Sequence, residues 1–574
     1  MTKIIPALII FLITWSSFAA DPNGYTTQYE CRAGGPNCNV DVVGLTTAAC
    51  AQTITTVDSL STIESKLNTG SSPICITNGD YTGKGRIIIT ASGSAGNYRV
   101  LRYFRSGDNN DEPWNQSDGD KVKIHQLFVN ANYWIIHRLT FPANGGTTSP
   151  RVVSGWTNGL HDHIFNRIYV EGNGRGNAGY YGYSQDNNEG QRYSNLWVQN
   201  SVFRNGGVTG PPAEKVAINM EAGDNLYTVN NEVYNWTSHA TQLGNNDIPT
   251  NLNTIVENND YYVTSDYYSD CAGHYTTAGP CSTAESLISV KIKATAGNHA
   301  KIIHNRLWGT RLTDLNLCCN GEDGNAFTHY DNNNFILFQN NIISDAQIGI
   351  NNVAPNNSYL GNLFYHIQQF AGGTSSRPIN VWIRGGMPDQ HDYEVYLNTA
   401  IDSHGGWPTS DHSNVDIKCN VIIDGGSPSN GTPPSTNIVD SNVFYNSTFY
   451  TYNGTNSNIN KSITLKTAYT GCTTLGCTAT ENTAGLSVGD IVRTSSTPFT
   501  SCTSNNKHCY LYKVNTVGAS GQIQAFRGPY SYWRKLRTAP EQVFIAYARA
   551  HSSAPEVGLC PSRYDSRAGL GVAD

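Results

Sequence analysis

The sequence predicts an all-β protein, built as a parallel β-helix with a smaller C-terminal β module. Two observations carry this prediction. Short strands with alternating apolar and polar residues, such as NLWVQ and NFILFQ, recur along the chain, and each is followed by asparagine and a further apolar pair. Helical periodicity is almost absent before residue 530. A strand, a residue able to adopt left-handed backbone, and a second strand, repeated at intervals, are typical of one coil of a β-helix.

The repeated unit is an asparagine followed by any residue and two apolar residues. Its copies and variants begin at His137, Asn166, Asn200, Asn231, Asn259, Asn305, Asn340, Gly361, Asn398, Cys419 and Ser441. Successive copies lie 21 to 46 residues apart, and we assign the excess over the shortest interval to loops. Because each copy would lie above the last, the amides are expected to form an internal ladder. An antiparallel sandwich would instead show strands roughly every 8 to 12 residues, joined by two-residue turns.

The N-terminus has the features of a secretory signal. Lys3 precedes an apolar run over residues 4–15, and SSFAA supplies small residues for cleavage. We therefore expect residues 1–19 to be a signal peptide, residues 20–72 an N-terminal cap, and the mature protein to be secreted, either extracellular or periplasmic. The apolar run is shorter than the roughly 20 residues that cross a bilayer. No membrane insertion is expected.

Fourteen cysteines follow this signal, an even number that favours disulfides in an oxidising compartment. Four pairs lie close in sequence and suggest loop staples: Cys31 with Cys38, Cys271 with Cys281, Cys472 with Cys477, and Cys502 with Cys509. The sequence does not fix the connectivity. A zinc site is disfavoured because no CxxC pair occurs. Composition shifts to Ser, Thr and Gly after Asn446, which predicts a β-helix over residues 73–449 and a disulfide-bound module over 450–574.

Charge excludes one class of function. Only 14% of the residues are charged, the net charge is −7, and basic runs are absent. Nucleic-acid binding requires basic patches that neutralise phosphates, so nucleic acid is not an expected partner.

Strand parity places candidate residues on one outer surface. In the stretch ESLISVKIK, an inward Ile288 and Val290 imply that Ser289, Lys291 and Lys293 face outward. The same parity gives an outward Glu285. In EKVAINMEAGD, residues 214–224, buried Val216, Ile218 and Met220 leave Asn219 and Glu221 outward and exposed. Parallel strands stack about 4.8 Å apart, so these outward residues of different coils could share one surface.

A later stretch, NAFTHYD, supplies further candidates for chemistry. Phe327 is expected to face inward, which sends Thr328 and Tyr330 outward and leaves His329 inward or in the turn. Tyrosine-rich stretches bring Tyr181, Tyr267 and Tyr268 as candidates for sugar contact, because tyrosine rings stack on sugar faces and donate a hydroxyl.

These coils resemble the pectate-lyase-like superfamily over roughly residues 73–446. The opening coil, ICITNGDYTGKGRIIIT, and the segments ESLISVK, HNRLWGTRLTD and GNAFTHYD are similar to the alginate lyase and chondroitinase B type. The resemblance implies a right-handed parallel β-helix, which the repeats extend to about ten coils. It also implies a polysaccharide lyase in which Lys is the base, Arg assists, and acidic and Asn residues hold calcium.

Carried over residue by residue, the resemblance assigns roles here. The candidate catalytic residues are Lys291, Lys293, Arg311, His329 and Tyr330, and the candidate substrate-binding residues are Arg306, Tyr267, Tyr268 and Tyr181. The candidate Ca²⁺ ligands are Asn219, Glu221 and Glu285. Two departures stand out: Thr328 occupies the place of the family's Arg, and the spacing from Glu285 to Lys291 is one residue longer than in the family.

Three functions remain open at the level of sequence. The first is a secreted, monomeric lyase that cleaves an acidic, uronate-containing polysaccharide by β-elimination. The second is a glycoside hydrolase on the same scaffold, which needs paired carboxylates. The chain has neither DD nor GHG, and HDH at residues 161–163 is expected to order a turn. The third is a non-catalytic, carbohydrate-binding adhesin or spike.

Overall fold

The fold was obtained as a computed structural model. It describes residues 27–104, 112–142, 151–154, 159–172, 179–182, 193–206, 216–220, 223–236, 239–244, 253–264, 286–292, 294–310, 324–329, 335–352, 355–365, 367, 377–381, 391–396, 398–401, 403, 413–418, 420–423, 436–440, 443–445, 459–461, 477–479, 491–493, 511–517 and 523–526. The predicted signal peptide, residues 1–19, therefore lies outside the described residues. Within them, no helix has the length and apolar character needed to cross a membrane.

Three long parallel sheets make up the main body, and the chain visits them in the order A, B, C in each full coil. Sheet A comprises Gln52–Ile54, Ile74–Thr77, Arg99–Phe104, Trp134–His137, His161–Asn166, Tyr193–Gln199, Gly223–Val229, Ile255–Glu257, Ala300–Ile303, Ile336–Gln339, Ser358–Leu360, His391–Tyr396, Ser413–Lys418 and Ile438–Asp440. Sheet B comprises Gly79–Asp80, Val122–Lys123, Thr140–Phe141, Tyr169–Glu171, Val202–Gly206, Glu232–Trp236, Asp260–Tyr262, Arg306–Trp308, Ile342–Ser344, Leu363–Tyr365, Thr399–Ile401, Val421–Ile423, Val443–Tyr445 and Ile459–Lys461. Sheet C comprises Arg86–Ile89, Gln126–Val129, Arg151–Val153, Gly179–Gly182, Val216–Met220, His239–Leu243, Ser286–Val290, Asn325–His329, Ile348–Asn352 and Arg377–Val381.

This strand order confirms the predicted parallel β-helix. Each strand pairs in register with the strand one coil earlier and one coil later in the same sheet, as between Val202–Gly206 and Glu232–Trp236. The paired strands begin at Gln52 and end at Lys461, so they reach slightly beyond the expected limits of 73 and 449. A separate antiparallel sheet of Cys477–Ala479, Ile491–Arg493, Leu511–Val517 and Ile523–Phe526 lies in the predicted C-terminal module.

Inward residues of the three sheets form one continuous core. Ile288 and Phe327 are register partners on adjacent strands of sheet C, and Ile218 lies in line with them two strands before Ile288. All three side chains are fully buried. Val216, Met220, Val290 and Ile292 are also buried, as strand parity predicted. Burial of such side chains is the main favourable contribution to folding.

The predicted asparagine ladder runs between sheets A and B. The Asn259 side chain accepts hydrogen bonds from the backbone N–H and the amide of Asn231, at 2.8 and 3.1 Å, and donates to Asn305 Oδ1 at 2.9 Å. The same pattern continues coil by coil through Asn341, Asn362, Asn398 and Asn420. The ladder amides are therefore hydrogen-bonded to one another inside the protein.

The N-terminal segment, residues 27–48, packs across the outer face of sheet A, and we call it the strap. Tyr29 donates its backbone N–H to Glu257, and Trp197 donates its indole N–H to the carbonyl of Tyr29. The strap contains the helix Val42–Thr47 and the disulfide Cys31–Cys38, which confirms that predicted pair. A second disulfide joins Cys50 and Cys75, and the other three predicted pairs lie wholly or partly outside the described residues.

Sequence reasoning missed the helices that follow the N-terminus. The helix Leu60–Thr69 is capped by Ser59, whose side chain accepts from Thr62 N–H, and it buries Ile63 and Leu67. A capping serine and two apolar residues four positions apart were the available signal. A 3₁₀ turn, Thr82–Lys84, is the remaining short helix of the described chain.

Candidate functional site

The outer face of sheet C carries a row of uncharged polar residues, which we call the polar column. The column consists of Asn219, Gln242, Ser289, Thr328 and Asn351, each the register partner of the next on adjacent strands. Strand alternation explains its position, because each member is flanked in sequence by residues of the core. The column runs along the axis of the β-helix.

Four members of the polar column are buried and Asn351 is partly buried, and in three members a side-chain oxygen has no hydrogen-bond partner among the described residues. Gln242 is 6% exposed, Ser289 0% and Thr328 3%. Gln242 Oε1, Ser289 Oγ and Thr328 Oγ1 have no hydrogen-bond partner in the part of the chain that the structure describes. Leaving such groups unpaired in a buried place costs about 1–3 kcal/mol each. The asparagine ladder of the same fold satisfies its polar atoms, so three adjacent unpaired oxygens on one face require a specific explanation.

The residues two positions before the column do not continue its face. Ala217, Ala240, Leu287 and Ala326 are buried and belong to the hydrophobic core, because the regular register is interrupted at these positions. Lys291 directly follows the strand that carries Ser289, is partly exposed, and donates its backbone N–H to Leu243 at 2.7 Å.

Four of the predicted site residues lie on or directly after strands of sheet C. Lys291 and Asn219 both belong to strands or strand ends of sheet C, and Tyr181 is the backbone register partner of Asn219. The expectation that Asn219 is exposed was wrong: it faces outward but is only 6% exposed. Strand parity predicts which way a side chain points, but it does not predict whether other parts of the chain cover it. His329 pairs with Val290, a register position shared with core residues. The predicted residues Glu221, Glu285, Lys293, Arg311, Tyr330, Tyr267 and Tyr268 lie outside the described residues.

Arg306 lies elsewhere, in sheet B. It is 4% exposed and forms an ion pair with Asp260, with Nη2 and Oδ2 2.5 Å apart. Asp260 also accepts the indole N–H of Trp308 at 3.1 Å. The structure therefore does not bring Arg306 to the polar column, and its predicted role in substrate binding stays a prediction.

The outer face of sheet B carries stacked aromatic rings and hydrogen-bonded polar groups. Tyr234, Tyr262 and Trp308 stack in line, with centroids 4.9 and 4.2 Å apart, and Tyr262 donates to Glu232 at 2.6 Å. Burial raises the pKa of Tyr262 well above its ordinary value, so the phenol stays protonated. These contacts link residues of successive coils, so the aromatic and polar groups on this face have a structural role.

A similar pairing holds Glu171 in sheet B. Burial acts to raise the pKa of this carboxyl, but hydrogen bonds from Arg204 and Tyr169 outweigh it and hold the pKa below its ordinary value. A glycosidase acid needs the opposite, a carboxyl whose pKa is raised. Glu171 therefore has the properties of a structural anion.

The HDH motif lies at the start of the strand His161–Asn166, so the expectation that it orders a turn was wrong. Asp162 adopts left-handed backbone with φ 60° and accepts from Tyr98 at 3.0 Å, while its neighbour His161 lies 2.6 Å from it. His163 is fully buried and bonds Ser154 and the carbonyl of Ala131. These groups are engaged with one another, which leaves the motif no acid and base pair for hydrolysis.

The predicted calcium ligands can be tested only in part. Asn219 is the one of the three that lies among the described residues, and in that part of the chain no group of three His, Cys, Asp or Glu side chains could hold a metal. Calcium sites in proteins rely on carboxylates together with amide and carbonyl oxygens. The neutral oxygens of the polar column alone do not fit Ca²⁺, and we derive no step through it.

Comparison with known proteins gave likeness only among solved structures. No family model and no curated protein matches the chain. A mannuronic acid-specific polysaccharide family 6 lyase from human gut microbiota is 13% identical, with 72% of this chain and 83% of that chain covered and a TM-score of 0.36. A tailspike protein of Escherichia coli bacteriophage HK620 is 11% identical, with 77% of each chain covered and a TM-score of 0.32. The A-module of an Azotobacter vinelandii mannuronan C-5 epimerase is 12% identical, with 71% of this chain and 97% of that chain covered and a TM-score of 0.30. At such identities and scores, we base function on this chain's own residues.

Proposed function

We propose that the protein is a secreted polysaccharide lyase that cleaves an acidic, uronate-containing polysaccharide by β-elimination on the outer face of sheet C. The observation that carries this proposal is the position of Lys291, which lies beside the polar column on a face built from five successive strands. A chain of sugars needs such an extended surface, and an elimination needs a base on it. The predicted secretory signal fits a polymer substrate outside the cell.

The proposed reaction requires few groups. A base removes the proton from C5 of the uronate, the C4–O bond to the leaving sugar breaks, a C4–C5 double bond forms, and the departing oxygen receives a proton. Lys291 is the proposed base, with Lys293 as the alternative. Neutralising the uronate carboxylate acidifies the C5 proton, which is the role we assign to Arg311, His329 or Tyr330.

Exchange of Lys291 for alanine tests the proposal. The purified protein is incubated with alginate, pectate and a glycosaminoglycan, and the ultraviolet absorbance of the unsaturated product is followed. We expect turnover of one polymer, and a loss of about 100-fold or more in Lys291→Ala, the usual contribution of a general base. Lys301→Ala is the matched control, because Lys301 lies on sheet A and bonds Tyr29. Equal turnover in both variants would remove Lys291 from the mechanism.

A second function, glycan binding without cleavage, is favoured by one specific observation. Every member of the polar column is uncharged, so the column itself offers no acid, base or counter-charge to a reacting uronate. A non-catalytic binding protein or spike would need only such hydrogen-bonding groups. Polymer that binds without release of unsaturated or reducing ends would select this function over the lyase.

A further inference from the structure

We infer that Gly244 is a positioning residue for Lys291, because it fixes the part of the backbone that carries the proposed base. The catalytic consequence rests on the proposed function, whereas the contact between the two residues does not. Gly244 directly follows the strand His239–Leu243, and Lys291 directly follows Ser286–Val290 on the neighbouring coil. No role was assigned to Gly244 from the sequence.

Lys291 lies between two residues of the core. Its neighbours in sequence, Val290 and Ile292, are 0% and 1% exposed and belong to the hydrophobic core. Lys291 itself is partly exposed. Two buried side chains thus hold the backbone of Lys291 from either side, so the point at which the lysine side chain leaves the β-helix depends on local packing.

Backbone hydrogen bonds hold Gly244 against the coil of Lys291. Gly244 donates its N–H to the carbonyl of Met220 at 2.8 Å, and Lys291 donates its N–H to the carbonyl of Leu243 at 2.7 Å. Leu243 is the register partner of both Met220 and Val290. The parallel ladder of sheet C therefore continues one residue past these strands, and it places Gly244 opposite Lys291.

The space between Gly244 and Lys291 admits no side chain. Gly244 has a φ of 79°, in the left-handed region that glycine adopts most readily. A Cβ atom at this position would collide with the carbonyl oxygen of Lys291, and it would lie 2.7 Å from both the carbonyl carbon of Lys291 and Cγ1 of Ile292. Non-bonded carbon atoms prefer separations of about 3.5–4.0 Å. Any other residue at position 244 must therefore displace the backbone of Lys291.

Such a displacement should affect proton transfer more than polymer binding. A base must lie within hydrogen-bond reach of the proton that it removes, and a misplacement of about 1 Å can lower the rate about 100-fold. Binding of a polymer is spread over many contacts and depends less on one of them. We therefore expect a side chain at position 244 to lower kcat while KM stays nearly constant.

Exchange of Gly244 for alanine tests the inference with two measurements. Hydrogen–deuterium exchange of the Lys291 amide, followed by mass spectrometry, should become about 10-fold faster, because the displaced N–H loses the carbonyl of Leu243. With whichever of alginate, pectate or a glycosaminoglycan the native protein cleaves, kcat should fall about 10- to 100-fold and KM should change less than about threefold. Amide exchange requires no substrate, so it reports on the contact independently of turnover.

Two other glycines separate the two costs that Gly244→Ala combines. Gly96 has a φ of 74°, and in the described chain only its sequence neighbours lie within 4 Å of the place of a Cβ, so Gly96→Ala adds backbone strain alone. At Gly93 a Cβ would lie 2.8 Å from two backbone carbonyl oxygens, so Gly93→Ala adds a collision alone. Both controls should unfold at lower temperature but keep native kcat and native amide exchange at Lys291.

A second pair of variants covers a Gly244→Ala protein that does not fold. Ile292→Val removes one methyl group from the core residue that follows Lys291 and contacts the same space. Ile136→Val makes the same change at a fully buried position of sheet A. The first variant should speed exchange of the Lys291 amide and lower kcat, each about threefold, because the backbone of Lys291 is held less firmly. The second should change neither.

Native amide exchange at Lys291 in a folded Gly244→Ala protein overturns the inference, as does a loss of kcat no larger than in Gly96→Ala and Gly93→Ala. If Gly244→Ala does not fold, equal exchange at Lys291 in Ile292→Val and Ile136→Val overturns it. A native protein that cleaves none of the three polymers refutes the proposed function but not the contact, which amide exchange at Lys291 then decides alone.

Discussion

Single residues at the turn between sheets A and B have two separate functions. In the pair Asn230 and Asn231, the first adopts left-handed backbone with φ 60°, and the second forms the internal ladder. Asn258 and Asn259 repeat this division. In the repeated unit predicted from the sequence, a single asparagine was expected both to adopt left-handed backbone and to form the ladder. The backbone angles distinguish the two positions, whereas the sequence does not, because asparagine is favoured at both.

Protonation of one buried histidine should couple stability to pH. Burial lowers the pKa of His163 to about 4, from an ordinary value near 6.5. The unfolded chain therefore binds a proton at a pH where the folded chain does not, and stability present above about pH 6.5 is lost as the pH falls toward about 4. A shift of this size corresponds to about 3 kcal/mol of unfolding free energy.

The measurement is urea unfolding of the native protein and of His163→Gln between pH 4 and 7. We expect the variant to be less stable at neutral pH but to lose less on acidification. Some slope should remain, since burial also lowers the pKa of His137. Parallel curves for the two proteins would show that His163 does not titrate in this range.

Among the elements, the strap has the most specific attachment. Glu257, on sheet A and only 2% exposed, accepts the backbone N–H groups of Gln28 and Tyr29 at 3.3 and 3.0 Å. Gln199 exchanges two hydrogen bonds with the backbone of Cys31 in the same way. The strap thus joins several coils through outward side chains of sheet A, and it covers apolar outer residues such as Trp197.

Replacing Glu257 by glutamine should loosen the strap. One side-chain oxygen becomes an NH₂ group that cannot accept, so one of the two strap N–H groups loses its partner, at a cost of about 1–3 kcal/mol. Hydrogen–deuterium exchange should show faster uptake at Gln28 and Tyr29. Glu394→Gln is the control, because Glu394 lies on sheet A and accepts from Ser358. Equal uptake in both variants would contradict the assigned role.

Strand direction could be predicted from sequence, but sheet membership could not. A period of two fixes which residues of a strand share a face, so Ile288 and Val290 were placed correctly in the core. Lys291 and Arg306 are close in sequence, yet they belong to different sheets, and Arg306 pairs with Asp260 from the preceding coil. Because the loops between the repeats vary in length, distance along the sequence does not show to which sheet a residue belongs. The burial of Asn219 likewise depends on distant chain and has no local signal.

At the scale of the whole molecule, each coil contacts mainly the coils before and after it. Stability of such a stack is approximately the sum of single coils and of the interfaces between neighbours. The ladder is the interface term that can be named atom by atom. Asn305 accepts from Asn259 N–H and amide, both at 2.9 Å, and donates to Val256 O at 2.8 Å and to Asn341 Oδ1 at 3.0 Å.

Asn305→Ala should therefore weaken the link between the coils on either side of it. Buried donors of Asn259 lose their acceptor, which predicts a loss of about 2–5 kcal/mol in the free energy of unfolding. Because the two halves of the stack are then less strongly coupled, the urea transition should broaden and its slope should fall. Asn37→Ala, at an exposed position in the strap, controls for loss of an asparagine and should change stability by less than about 0.5 kcal/mol. A sharp transition of native slope in Asn305→Ala would mean that packing of the core, and not the ladder, makes the stack unfold as one unit.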